Sequence, residues 1–136
     1  MTADPPPSRL QIAQRLATHL GRRDFDQFIH LLSHEVEYRV GGNHMLAGTF
    51  RGPDEVTAHV RDLVDRTDNT YDAFKWEDWL VGDQHVAALV RVHGEGHGAI
   101  FAARLVVLLG FDPADKVSEI TVLFEDASGA ERFFSR

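Results

Sequence analysis

The chain has 136 residues, no cysteine, and a formal net charge of −7 from 14 Lys+Arg against 21 Asp+Glu. The lack of cysteine excludes disulfides, thiolate metal sites and a cysteine nucleophile. The acidic balance, with no run of Lys and Arg, argues against nucleic acid as the partner. Hydrophobic residues at 43% and charged residues at 26% are globular values, and the length suits one domain with a real core. The longest apolar run, Leu105 to Leu109, suits a buried strand and is too short for a membrane span. The N-terminal MTADPPPS lacks the basic and apolar parts of a signal peptide, so a cytoplasmic location is expected. Residues 1–7 read as an extended leader and residues 8–136 as a single domain.

The first elements are helices. Ser8 and Gln11 match a capping box; Leu10, Ile12, Ala13, Leu16, Ala17 and Leu20 follow at helical spacing, and Gly21 is the stop. Asp24 with Gln27 starts a short second helix carrying Phe25, Phe28, Ile29, Leu31 and Leu32. Next comes Glu35 to Gly52, EVEYRVGGNHMLAGTFRG. Its first part is a strand with Val36, Tyr38 and Val40 on one face, broken by Gly41-Gly42-Asn43. The rest reads as a loop crossing to a helix that begins near Pro53. That helix turns Val56, His59, Val60, Leu63 and Val64 inward and ends at Asp68-Asn69.

From Tyr71 the period is two. Strands are predicted over Tyr71–Val81, His85–Glu95, Ala99–Phe111 and Val117–Glu125. Turns are predicted at Gly82-Asp83, Gly96-His97-Gly98 and Asp112 to Asp115. Ser128 with Glu131 marks a last capping box before Phe133-Phe134, for a final helical turn. Helices followed by an antiparallel meander define an α+β fold.

The stretch LLSHEVEYRVGGNHMLAGTFRG, Leu31 to Gly52, resembles the SnoaL-like branch of the nuclear transport factor 2-like superfamily. That group includes ketosteroid isomerase, scytalone dehydratase and limonene epoxide hydrolase. The shared pattern is a leucine pair, an acidic turn, a strand with an aromatic, a glycine loop, then Leu-Ala-Gly-x-aromatic-Arg-Gly before a helix. The chain departs from it at Ser33-His34-Glu35 and at Gly41, where proline is usual. The resemblance implies a cone: three N-terminal helices packed in the concave face of a strongly bent antiparallel or mixed sheet, around an apolar cavity. It also implies a homodimer through the outer sheet face, where Leu89, Ile100, Ala102, Val106, Leu108 and Leu123 are apolar and Arg91, Arg104 and Glu119 are candidates for interface ion pairs.

Laid on the isomerase pattern, the chain has Leu16 at the tyrosine, Val40 or Tyr38 at the base and Val107 at the buried acid. The isomerase machinery of carboxylate base and acidic oxyanion donor is therefore missing. An epoxide-hydrolase relay lacks its Asp partner beside Arg104. The comparison turns Ala103, Leu105, Val107 and Leu109 inward. A two-residue turn after Glu95 would add Val90 and Val92; a three-residue turn would bring in Arg91 and His93 instead. Parity on the last strand turns Ile120, Val122 and Phe124 inward.

These readings give an apolar site for a small hydrophobic, polyketide-, terpene- or steroid-like molecule. Asn43, Trp76, Trp79, Val90, Val107, Val122 and Phe124 are the candidate ligand contacts. Alternation lets only one of Trp76 and Trp79 face inward. Tyr38 and His44 are the candidate acid-base groups should the protein be an isomerase, dehydratase, cyclase or epoxide hydrolase. A third reading is a non-catalytic dimeric module, its cavity filled by Phe28, Phe74 and Phe124. No cofactor is called for. His93-Gly94-Glu95-Gly96-His97 has metal-like spacing, but its glycines suggest a hairpin tip with solvated histidines, and no metal is expected.

Overall fold

The computed structural model of the chain describes residues 7–96 and 98–134. Residues 1–6 of the expected leader, His97 of the expected turn and residues 135–136 lie outside them. Helix α1 (Arg9–Gly21) starts at Ser8 with a closed capping box: Ser8 Oγ accepts from the Gln11 N–H at 3.1 Å, and Gln11 Oε1 accepts from the Ser8 N–H at 2.9 Å. Arg23, rather than Gly21, takes the left-handed conformation after it (φ 59°). Asp24 then caps α2 (Phe25–His30) by accepting from the Gln27 N–H. This helix is shorter than its apolar run suggests. Leu31 O accepts from the Val117 N–H at 2.9 Å, which draws the chain into the sheet, so Leu32 opens strand β1 (Leu32–Val40).

The stretch expected as a connecting loop contains a strand, β2 (Gly48–Arg51), paired antiparallel with β1 so that Tyr38 faces Phe50. Four residues carry too little alternation to show it. Helix α3 (Gly52–Arg66) has Pro53 in its first turn and buries Val56, His59 and Val60. Asp68 and Asn69 follow in the left-handed conformation. Then come β3 (Asp72–Val81), β4 (His85–Gly96), β5 (Ala99–Phe111) and β6 (Val117–Phe124). Helix α4 (Ala127–Phe134) is longer than a single turn. It begins before Ser128, which is therefore a helical residue and not the cap.

The six strands form one curled sheet in the order β2-β1-β6-β5-β4-β3, in which only β1 and β6 run parallel. Gly96 pairs with Ala99, so the β4–β5 turn has two residues. Val90 thus lies opposite Leu105 and Val92 opposite Ala103, while Arg91 and Arg104 meet on the outer face. The hairpin turns just after Gly96, as expected, but the glycines before it are not solvated. Gly94 and Gly96 are buried in β4 under the end of α3. A Cβ on Gly94 would lie 3.0 Å from Thr67 Cγ2, and one on Gly96 would fall on the Arg66 carbonyl oxygen. Close approach of the α3 backbone explains Gly96, and the Thr67 side chain fills the space beside Gly94.

One further departure matters for the site. Trp76 lies opposite Val90 and Asp78 opposite Leu89, so Glu77 is an extra residue in β3. This bulge resets the alternation. Trp76 and Trp79 consequently share the inner face, with rings parallel to within 6° and centroids 5.1 Å apart. Phe74, expected among the cavity-filling aromatics, is instead 57% exposed.

Candidate functional site

Between the helices and the concave sheet face lies a cavity of about 100 Å³. Its wall is built from every layer: Leu16 and Leu20 of α1, Phe28 of α2, Val60 and Leu63 of α3, and Phe134 of α4 stand over sheet residues. Of the sequence-predicted contacts, Trp76, Trp79, Val90, Val107, Val122 and Phe124 are in the wall, together with Tyr38 and His44. Asn43 is not. It is exposed, and its backbone N–H donates to Glu131 Oε1 at 3.3 Å, which ties the glycine loop to α4 and leaves the amide side chain outside.

His44 is held by its own loop. Its Nε2 lies 3.2 Å from the Gly41 carbonyl oxygen, and its Nδ1 accepts from the Leu46 N–H at 3.2 Å. A neutral ring protonated on Nε2 satisfies both contacts. Burial lowers its pKa, opposed by the Gly41 hydrogen bond and the charge of Glu131. The ring also packs edge-on against Phe124 at 5.9 Å and tilted against Phe134 at 5.5 Å. Both nitrogens are thus occupied by backbone, so proton transfer to a ligand would require His44 to break one of these bonds.

A second imidazole packs against the tyrosine. His59 is only 6% exposed, is part of the cavity wall, stacks on Phe50 at 4.0 Å and lies 5.0 Å from the Tyr38 ring. Burial pulls it down to about 4, with Asp62 opposing the shift, so it is neutral at pH 7. Helical spacing places His59 on the inner face of α3, but its ring partners come from β1 and β2, so its role was not legible in α3 alone.

Two further wall residues carry polar groups that sequence reasoning did not single out: Tyr71 and Arg23. Burial pushes the Tyr38 phenol up to about 12 and raises that of Tyr71 as well. Tyr38 and Asp72 add to the rise at Tyr71 and Arg23 opposes it, so Tyr71 lies within electrostatic reach of all three. Both phenols are protonated donors at neutral pH. Among the described residues neither hydroxyl has a protein hydrogen-bond partner, and the described wall contains no Asp or Glu. No group of three metal-ligating side chains occurs among the described residues. His93 lies 4.0 Å from Glu95 on the outer face.

The architecture is a curled mixed sheet closed by helices around an apolar cavity with a few inward polar groups. The SnoaL-like domain model matches residues 13–120, and the chain belongs to that family. It is 27% identical over 127 residues to the uncharacterised protein Rv0034 of Mycobacterium tuberculosis, covering 93% of this chain and 95% of that one. Among solved structures it is similar to a protein of unknown function with a cystatin-like fold from Xanthomonas campestris, with TM-score 0.89 and 22% identity over 96% of this chain and 100% of that one. It is also similar to a nuclear transport factor 2-like protein from Burkholderia xenovorans, with TM-score 0.79 and 18% identity over 93% and 95% of the two chains. A SnoaL-like polyketide cyclase, so named provisionally, from Shewanella denitrificans gives TM-score 0.74 and 16% identity over 93% and 96%. At these identities the structural likeness is one of fold. No helix among the described residues is long and apolar enough to cross a membrane.

Proposed function

We propose that the chain binds a small, ring-containing, mainly apolar molecule in this cavity, held by the Trp76–Trp79 pair and oriented by the hydroxyls of Tyr38 and Tyr71. The observation that carries this reading is the pairing of an apolar wall with two half-buried phenols that have no protein hydrogen-bond partner among the described residues. A ligand oxygen in the cavity would satisfy these donors. Size narrows the ligand. About 100 Å³ is less than the roughly 150 Å³ void that accepts benzene in other proteins, so a single ring fits with small adjustments. A four-ring steroid would need a wall to move. The test is direct binding of single-ring compounds to wild type and Tyr38→Phe. The variant should lose about fivefold or more in affinity for ligands with a ring oxygen, the worth of one net hydrogen bond. Equal affinities would remove Tyr38 from the account.

A catalytic reading has its own supporting observation: His59, buried and neutral, sits beside the protonated Tyr38. A base and a hydrogen-bond donor on one wall suit proton abstraction next to a carbonyl, with the enolate oxygen held by a phenol. The Shewanella protein's name is in line with cyclase-type chemistry of this kind. Turnover of a single-ring ketone by wild type, absent in His59→Phe, would support it.

We also propose that two copies pair through the outer face of the sheet. Ile100 and Leu123 are 69% and 51% exposed there. The arginines expected to bridge copies are already paired within the chain: Glu77 accepts from Arg91 and, at 3.2 Å, from Arg104, while Glu119 accepts from Arg39 at 3.3 Å. The apolar residues would therefore form the contact.

A further inference from the structure

Four arginines are half-buried: Arg9, Arg23, Arg66 and Arg104. Three face a carboxylate. Arg9 meets Asp115 at 3.0 Å, Arg66 meets Asp62 at 3.1 Å, and Arg104 meets Glu77 at 3.2 Å. Arg23 has no ion-pair partner among the described residues. It is also the one Lys or Arg in the described cavity wall.

Local structure aims Arg23 there. Its left-handed backbone, between the end of α1 and the cap of α2, is unusual for a residue with a long side chain. Its guanidinium donates to the Leu20 carbonyl at 3.3 Å and to the Tyr71 carbonyl, so it bridges α1 and the start of β3. These two bonds fix the fork and use two of its five N–H donors. They bring no negative charge. Asp72 acts on Tyr71 from the same neighbourhood but forms no ion pair with Arg23, so a half-buried cation at an apolar wall is left open to an anionic ligand. Such a cation would need no geometric adjustment to receive one, because the fork is held in place beside Tyr71.

We infer that the cavity's ligand carries an acidic oxygen, a carboxylate or an enolate, and that Arg23 is the residue that selects it. This rests on the proposed ligand-binding function and goes beyond it by naming the ligand's charge. The apolar body of the molecule would lie against Trp76 and Trp79, with its ionised oxygen at the Arg23 and Tyr71 end. A charge-assisted hydrogen bond there is stronger than one to a neutral oxygen.

The test compares hydrocinnamate with hydrocinnamyl alcohol, which share one ring and one chain and differ in charge. Both tryptophans of the chain are in the cavity wall, so intrinsic fluorescence reports occupancy. Wild type should bind the acid about tenfold more tightly than the alcohol, as a charge-assisted contact implies. Arg23→Gln should bind the two alike, and Arg23→Lys, which keeps the charge, should keep the preference. Circular dichroism establishes that each variant is folded; if Arg23→Gln does not fold, loss of the wild-type preference at high salt and its retention in Arg23→Lys decide. Equal binding of acid and alcohol by wild type would overturn the inference and leave the ligand-binding reading standing. An unchanged preference in Arg23→Gln would overturn it too. If neither compound changes the tryptophan emission, the ligand-binding reading itself fails and takes the inference with it.

Discussion

Acidification should expose the cost of burying His59. In the unfolded chain its imidazole titrates near 6.5, and in the fold burial holds it at about 4. Between these values the unfolded chain holds a proton that the folded chain does not, so stability falls as pH falls. The loss begins near pH 6.5, is complete near pH 4, and grows by about 1.36 kcal/mol per pH unit. Between pH 6.5 and pH 5 His59 alone should therefore remove about 2 kcal/mol, or roughly 8 °C in melting temperature for a chain of this size. Carboxylates titrate in the lower part of this range, so the comparison is with His59→Phe. That variant keeps a ring against Phe50 and cannot take up a proton. Urea unfolding at a series of pH values, followed by circular dichroism, should give wild type the steeper slope by that amount. Parallel slopes, or an imidazole in the folded wild type that titrates near 6.5 by NMR, would refute the burial argument.

Three other outcomes follow from contacts already described. Gly96→Ala should destabilise the fold by about 1–3 kcal/mol, because its methyl group meets the Arg66 carbonyl oxygen; an unchanged denaturation midpoint would show that α3 can retreat freely. His44→Ala removes the two backbone contacts that brace the Gly41–Leu46 loop. It should cost about 1–2 kcal/mol in unfolding free energy while leaving ligand affinity within a few-fold, whereas unaltered stability with abolished turnover would restore His44 as an acid-base group. Ile100→Glu should shift the chain toward monomer in sedimentation at micromolar concentration, and an unaltered distribution would mean the outer face is not the contact.

Local signals carried much of the architecture. The Ser8 and Asp24 caps, the Pro53 start of α3 and the alternation of β4 to β6 all appear where sequence patterns put them. The β4–β5 register was ambiguous by one residue because both faces of β5 are apolar, and the continuous ladder from His85–Gly110 to Gly96–Ala99 resolves it. The Glu77 bulge was not legible: nothing in Trp76-Glu77-Asp78-Trp79 marks an insertion, yet it puts both indoles on one wall. For the site the limit was tertiary. Tyr38 was readable from its own strand, but His59 of α3, Tyr71 just before β3 and Arg23 between α1 and α2 acquire meaning only when these segments converge on the cavity. Asn43 and His44 suit a lip because loops often carry function, whereas the Asn43 backbone ties the loop to α4 and the His44 ring braces the loop itself.

The most direct test of the central claim uses the indole N–H signals of Trp76 and Trp79, which sit together in the cavity wall. A library of single-ring compounds, acidic and neutral, would be titrated into labelled protein and followed by proton–nitrogen correlation spectra. The account predicts that at least one acidic ring compound shifts both indole signals along a common saturable curve, and that Tyr38→Phe weakens that curve. If saturating compounds leave both signals in place, or move them only in proportion to concentration, the cavity is core and the protein does not bind small molecules there.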